Sequence, residues 1–81
     1  MTSQNETESI KKIGNNLRNI RKRLNLTLEN VEERGWTNHK HLQRIEMGHK
    51  DVRISTLIRL SRIYEVSLNE ILYDLETLHK Q

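Results

Sequence analysis

A short polar segment near the middle of the chain, residues 38–47, holds the side chains best suited to binding chemistry. Read as a helix, it points Leu42 and Ile45 to one side. The other side carries the long polar or flexible side chains of Lys40, Gln43, Arg44 and Met47. Lysine and arginine donate hydrogen bonds and are positively charged, whereas a glutamine amide both donates and accepts. The segment is therefore either a solvated polar face or a surface for a polar, anionic partner.

The positive charge of the chain is concentrated in its middle. Thirteen of the 14 Lys and Arg residues lie in residues 10–62 with only five acidic residues, a local net charge of +8 against +3 for all 81 residues. Such a concentration raises the local density of a polyanion and steers its approach. The basic middle is a candidate anion-binding surface, and a solvated basic face is the alternative.

Catalytic and metal-binding chemistry have no support in the sequence. No nucleophile–base pairing and no glycine-rich phosphate loop is visible, so we expect neither enzyme activity nor a cofactor. The chain has no Cys. His39 and His41 diverge by about 200° on a helix, so no tetrahedral metal site is expected even with His49 nearby.

Size and composition predict one small all-α domain. With 33% hydrophobic and 4% aromatic residues, the chain can form only a small, aliphatic core. It has no Pro, three Gly and no strand-like alternation, which favours helices. The opening residues lack the apolar segment of a signal peptide, and no apolar run is long enough to cross a membrane. We expect a cytoplasmic protein with no membrane partner and no small-molecule ligand.

The first three helices are predicted from apolar spacing and capping residues. The first stops at Asn25, a residue type that tolerates a left-handed backbone. Its apolar stripe consists of Ile10, Ile13, Leu17, Ile20 and Leu24. The second begins after the cap Thr27 and stops at Gly35. The third begins after the cap Asn38 and ends before Gly48.

Two further helices are predicted in the second half of the chain. The fourth is defined by Ile54, Leu57, Leu60, Ile63 and Tyr64. Ser67 and Glu70 have the capping-box form that starts a fifth helix. Its stripe continues through Leu68, Ile71, Leu72, Leu75 and Leu78. We therefore divide the chain into a polar N-terminal arm, residues 1–8, which is a candidate for disorder, and a single domain, residues 9–81, with an extended C-terminal helix.

The connection between the second and third helices has the length of a helix-turn-helix. Only a few residues around Gly35-Trp36-Thr37 join them, which sets two helices at a steep angle. In that geometry the second helix of the pair lies in the DNA major groove and the first crosses the backbone.

Several spaced elements surround this pair in a fixed order. They are Ile13-Gly14 with Leu17, Ile20-Arg21, Leu24-Asn-Leu-Thr27, Leu42-Gln-Arg-Ile45-Glu46 before Gly48, Thr56-Leu57, Leu60, and Val66-Ser-Leu-Asn-Glu-Ile-Leu72. In this order the sequence resembles the phage-repressor and Cro-like (XRE-type) helix-turn-helix family over about residues 12 to 72. The resemblance implies a compact, five-helix, repressor-like DNA-binding domain, usually dimeric on an operator with twofold symmetry. Family members are mostly bacterial and phage transcriptional regulators.

The resemblance also assigns roles to individual residues. The base-contacting positions fall on His39, Lys40, Gln43 and Arg44. Arginine and lysine can donate to guanine, glutamine can pair with adenine, and histidine can donate or accept. The phosphate-contacting candidates are Thr27, Asn38, His49, Lys50 and Arg53. Arg21 and Glu46 are implied to form a structural ion pair between the first and third helices.

Three positions depart from the usual family pattern. Leu28 replaces a common phosphate-contacting Gln, Glu32 stands where a small Ala is usual, and Gly35-Trp36 replaces a Leu-Gly. We expect Gly35 to end the second helix one residue early and Trp36 to fold into the core, with Glu32 turned to solvent. A Trp36 that stacks on nucleic acid or faces a partner is the alternative.

The predicted function is that of a sequence-specific double-stranded DNA-binding transcriptional regulator, acting as a homodimer. The candidate dimer residues are Leu68, Leu72, Leu75 and Leu78, with Tyr64 and Tyr73 as further possibilities. The alternative for this stripe is packing on the first helix. The alternative function is a protein-interaction module, such as an antitoxin or scaffold subunit, that retains the fold.

Overall fold

The computed structural model describes residues 4–75, and within that range it is all-α with no strand. The elements are α1 (Gln4–Arg23), α2 (Leu28–Glu33), α3 (His39–Glu46), α4 (Ile54–Tyr64) and α5 (Leu68–Ile71). The predicted all-α, five-helix fold is confirmed. None of the helices described in this range is long and apolar enough to cross a membrane.

The boundaries of the first three helices are set by local interactions. Asn25, two residues after the last residue of α1, adopts a left-handed backbone with φ of 59°. The Thr27 hydroxyl accepts from the backbone N–H of Asn30, and the Asn30 side chain accepts in return from the Thr27 N–H, both at 3.0 Å. Asn38 caps α3 through its side-chain oxygen. These caps supply acceptors for N–H groups that have no partner inside the helix.

The first helix begins earlier than its apolar stripe predicts. It starts at Gln4, so residues 4–8, which composition assigns to a polar arm, are helical. Glu6 lies in the first turn, where a negative charge is favourable because of the helix dipole. A polar first turn can therefore extend the N-terminus of a helix whose later turns are stabilised by core packing.

The core is built mainly from aliphatic residues of all five helices. Its buried apolar members are Leu17, Ile20, Val31, Trp36, Leu42, Ile45, Leu57, Leu60, Tyr64 and Ile71. Trp36 is only 5% exposed, which confirms that it folds into the core. Tyr64 is also buried, so it cannot contribute to a dimer surface as the sequence suggested.

The fifth helix is much shorter than the apolar stripe predicts. It ends at Ile71, and Asp74 adopts a left-handed backbone with φ of 65°. The buried Asn16 side chain in α1 donates to the carbonyl oxygens of Ile71 at 2.8 Å and Tyr73 at 3.0 Å. Because α1 supplies a donor to these carbonyls, the chain can leave the helix at this point. The extended C-terminal helix is therefore wrong for residues 72–75, and Leu78 lies outside the described residues.

A glycine lets α1 and α3 approach closely. A side-chain carbon at Gly14 would overlap the carbonyl oxygen of Ile45 and would lie 2.9 Å from that of Glu46. The close approach places the end of α3 directly against α1. It thereby fixes the position of the helix whose polar face is the candidate binding surface.

Candidate nucleic-acid interface

The third helix is attached to the domain by one face and exposes the other. Leu42, Ile45 and Glu46 are buried. Lys40, Gln43 and Arg44 are exposed, and His39 is half-buried. All four residues that the family resemblance assigns to base contact thus lie on one short helix, with three of them open to solvent. A helix mounted in this way can enter a groove without losing its core contacts.

The first turn of α3 is held by two side chains. The Asn38 side-chain oxygen accepts from the backbone N–H groups of Lys40 at 2.8 Å and His41 at 3.3 Å. A carboxylate oxygen of Glu32, in α2, accepts from the backbone N–H of His39 at 2.7 Å. Glu32 was expected to turn to solvent, and its side chain is 36% exposed, but its carboxylate also contacts the start of α3. A helix N-terminus offers the carboxylate unpaired donors and a favourable dipole.

The same Glu32 oxygen also contacts the His39 side chain, with 3.2 Å to Nδ1. The pKa of the Glu32 carboxyl is lowered, first because the His39 backbone N–H donates to it and then because the imidazole does. Sequence reasoning missed this contact. The available signal was an acidic residue seven positions before the first residue of a capped helix, at a site where the family usually has a small one.

His41 lies in a different environment from His39. Its ring stacks on Trp36 with 5.7 Å between centroids and an interplanar angle of 13°. The pKa of His41 is lowered, first by burial and then by the positive charges of Lys50 and Arg44. The two histidines thus face different neighbours, and residues 4–75 contain no group of three His, Asp or Glu residues that could hold a metal ion.

The aromatic ring of Trp36 also contacts the fourth helix. The Arg59 guanidinium lies 5.6 Å from the ring centroid, and its Nη2 donates to the Gly35 carbonyl oxygen at 3.3 Å. Gly35 has φ of +116°. Arg59 in α4 thus contacts the turn between α2 and α3 at both Gly35 and Trp36, and the positive φ of the turn is one that glycine adopts without strain.

The predicted phosphate-contacting residues lie at several places around α3, and all five are exposed. Lys50 and Arg53 line a cleft of about 320 Å³ together with His41 and Asp51. Arg53 is the N-cap of α4 and makes no capping hydrogen bond through its side chain. His49 lines a separate groove beside α1, and Thr27 and Asn38 lie at the starts of α2 and α3.

The Arg21 and Glu46 side chains meet between α1 and α3. Arg21 donates from Nε and Nη2 to the two carboxylate oxygens of Glu46 at 2.8 and 2.9 Å, and from Nη1 to the Leu26 carbonyl oxygen at 2.8 Å. The pKa of Arg21 is raised, chiefly because of this hydrogen bond to Glu46. The pair ties the end of α3 to α1 and to the loop before α2.

The candidate dimer residues differ in accessibility. Leu68 and Leu72 pack against the core and are partly buried, as is Leu75. Tyr73 beside them is 69% exposed. Within the described residues, the predicted dimer surface is therefore reduced to Tyr73 and the accessible parts of these three leucines.

A short capped helix that exposes cationic and amide side chains, and that follows another helix through a tight turn, defines a helix-turn-helix domain. Residues 17–71 match the family model described as Helix-turn-helix. The chain therefore belongs to this helix-turn-helix family, of the XRE type, which is a DNA-binding regulatory family and generally non-enzymatic. Neither the curated proteins nor the solved structures contain a significant match.

Proposed function

We propose that this protein is a sequence-specific transcriptional regulator that binds double-stranded operator DNA as a homodimer. The single observation that carries the proposal is the mounting of α3, whose apolar face is buried while Lys40, Gln43 and Arg44 are exposed on the other side. Inserted in the major groove, these side chains and His39 would contact base edges.

Phosphate contacts would supply most of the affinity in this proposal. Lys50 and Arg53 line one cleft next to α3, so both cations could approach a single DNA strand. The side chains of Thr27, Asn38 and His49 would add contacts on either side. Contacts of this kind fix the position of a protein on the duplex without reading its sequence.

Selection of bound duplexes from a random pool tests these roles. Arg44→Ala should relax the preference at a defined base position, at a cost of about 1–3 kcal/mol. Lys50→Ala should weaken binding to all sequences alike and lower the salt dependence of log K by about 0.9. A matched control is Arg62→Ala, which removes an exposed cation nine residues beyond Arg53, at the other end of α4.

The outcomes of this selection separate the proposal from its alternative. Equal behaviour of Arg44→Ala and Lys50→Ala would contradict the assigned roles. Binding to duplex DNA that is absent or independent of salt would contradict the proposed function and favour a protein-interaction module, because an apolar contact releases no counterions.

The dimer is tested on the full chain by sedimentation equilibrium. A twofold protein would bind two half-sites about 34–36 Å apart, so the selected sequences should be palindromic. Leu75→Asp should shift the protein towards monomer, with Ile58→Asp on α4 as a matched change of a partly exposed residue. A monomer at all concentrations with a non-palindromic site would refute this part of the proposal.

A further inference from the structure

The Glu32–His39 contact constrains the chemistry of a predicted base-contacting side chain. One Glu32 oxygen accepts from the His39 backbone N–H at 2.7 Å and lies 3.2 Å from Nδ1 of the imidazole. The His39 and Glu32 side chains are 32% and 36% exposed, so the contact lies at the edge of the surface that α3 presents.

An ionised carboxylate can only accept a hydrogen bond. The backbone N–H donated to Glu32 favours the ionised form, and the pKa of this carboxyl is lowered accordingly. The Nδ1 atom must therefore carry the proton that Glu32 accepts. In a neutral imidazole only one ring nitrogen is protonated, so Nε2 then holds a lone pair and acts as an acceptor.

The Nε2 atom is free to meet a partner. Within the described residues it has no hydrogen-bond partner, and it is not among the buried side-chain atoms that lack one. Lys40 is the next residue after His39 on α3, Gln43 lies one helical turn after His39, and both are exposed. The acceptor thus belongs to the surface proposed to enter the major groove.

We propose that Glu32 is a specificity-determining residue, which holds the proton of His39 on Nδ1 so that Nε2 accepts a hydrogen bond from a base edge carrying an exocyclic amine. The inference rests on the proposed function. In the major groove such amines are N6 of adenine and N4 of cytosine, whereas guanine O6 and N7 and thymine O4 offer acceptors only. Glu32 itself need not touch DNA and acts by positioning His39.

The tautomer can be measured without DNA. Long-range proton–nitrogen NMR on the labelled full chain, on the alkaline side of neutrality where imidazoles are neutral, shows which ring nitrogen of each histidine is protonated. We expect the proton of His39 on Nδ1 in the wild type and a mixture of tautomers in Glu32→Ala. A proton on Nε2 in the wild type would overturn the inference.

The base preference is tested by selection from random duplexes. We expect the wild type to prefer adenine or cytosine at one position, and both Glu32→Ala and His39→Ala to relax that preference about threefold to tenfold, the value of one hydrogen bond. The double variant should show no further relaxation. Glu32→Gln keeps the size of the side chain, but its amide can either accept from Nδ1 or donate to it, so it fixes the tautomer less firmly. It should relax the same position, less than Glu32→Ala does, while preserving the fold.

A matched control separates the tautomer from the loss of charge. Glu33→Ala removes the same charge from the neighbouring position of α2, where the carboxylate makes only a 3.4 Å contact with Asn30. It should change the affinity for all duplexes but leave the base preference intact. An unchanged preference in Glu32→Ala and Glu32→Gln with relaxation in His39→Ala would overturn the role of Glu32. If neither the wild type nor any variant bound duplex DNA, the proposed function would be overturned instead. The NMR measurement of the His39 tautomer does not depend on DNA, so its result would still hold.

Discussion

Two ion pairs on α1 have the same short contact but very different burial, and they should differ strongly in their effect on stability. Arg21 contacts Glu46 at 2.8 Å with side-chain exposures of 12% and 3%. Arg23, two residues later, contacts Glu70 at 2.8 Å with exposures of 58% and 45%. Replacing each arginine by alanine removes the same charge from the same helix, so the two variants differ mainly in the burial of the ion pair and in the extra hydrogen bond of Arg21 to Leu26.

The expected magnitudes follow from solvation. Arg21→Ala leaves the buried Glu46 carboxylate without its partner and removes the hydrogen bond to the Leu26 carbonyl, so it should lower the free energy of unfolding by about 3–5 kcal/mol. Arg23→Ala exchanges an exposed pair for water contacts and should cost about 0–1 kcal/mol. A domain of this size has a total stability of about 4–12 kcal/mol, so Arg21→Ala is close to the limit of folding.

A milder variant keeps the comparison measurable. Glu46→Gln preserves the size of the side chain and one acceptor oxygen, and it should cost about 1.5–3 kcal/mol because a charged hydrogen-bond partner is lost. Glu70→Gln is its exposed counterpart. Urea unfolding, followed by circular dichroism and by the fluorescence of the single tryptophan, gives each free energy. Equal losses at the buried and exposed pairs, within about 0.5 kcal/mol, would refute the reasoning.

Three other predictions concern single residues. Gly14→Ala should lower the free energy of unfolding by at least about 1–3 kcal/mol, because its side-chain carbon would overlap a backbone carbonyl of α3. Asn15→Ala, at the exposed neighbouring position, should not, and equal urea midpoints of the two variants would contradict the close approach of α1 and α3. Asn16→Ala should cost about 1–3 kcal/mol because two carbonyls lose their donor, with Asn19→Ala as the exposed control, and hydrogen exchange should show the loss at the end of α5. Acidification should destabilise the wild type through His41, because the pKa of this group is lowered in the folded chain. The unfolded chain therefore binds the proton more readily, and the free energy of unfolding falls as the pH drops below the ordinary histidine pKa of 6.5. This pH-dependent loss should be absent in His41→Asn. Identical pH profiles of the urea midpoints of the wild type and His41→Asn would refute the prediction.

The helix boundaries that sequence predicted correctly depend on neighbouring residues. Asn25 ends α1 and Asn38 begins α3 through interactions that span only a few positions. Capping and left-handed backbone preferences are properties of residue type, so they can be read from the sequence. The end of α5 could not be read from the sequence, because the donor to the carbonyl oxygen of its last residue comes from Asn16, 55 residues away. The apolar stripe alone therefore continued the helix too far.

The exposed face of α3 was predicted from the sequence, but one contact at the edge of that face was missed. Positions such as Lys40 and Arg44 follow from helical spacing, because residues opposite a buried face must face solvent. The contact between Glu32 and His39 depends on the angle between α2 and α3, which the turn at Gly35 sets. A rule that treats an acidic residue on a short helix as solvated misses a partner that belongs to the next helix.

The partners of the α3 N-terminus bear on how the proposed regulator would divide its contacts. Glu32 and Asn38 together accept from the backbone N–H groups of residues 39, 40 and 41, so these donors are already used within the protein. A phosphate approaching the first turn of α3 would also meet the negative charge of Glu32. We therefore propose the cleft at Lys50 and Arg53 for phosphate contacts, where two cations accompany the single carboxylate of Asp51 and the N-cap of α4 lacks a side-chain acceptor. It follows that substitutions in this cleft should change mainly the salt dependence of binding, and substitutions around Glu32 mainly the base preference.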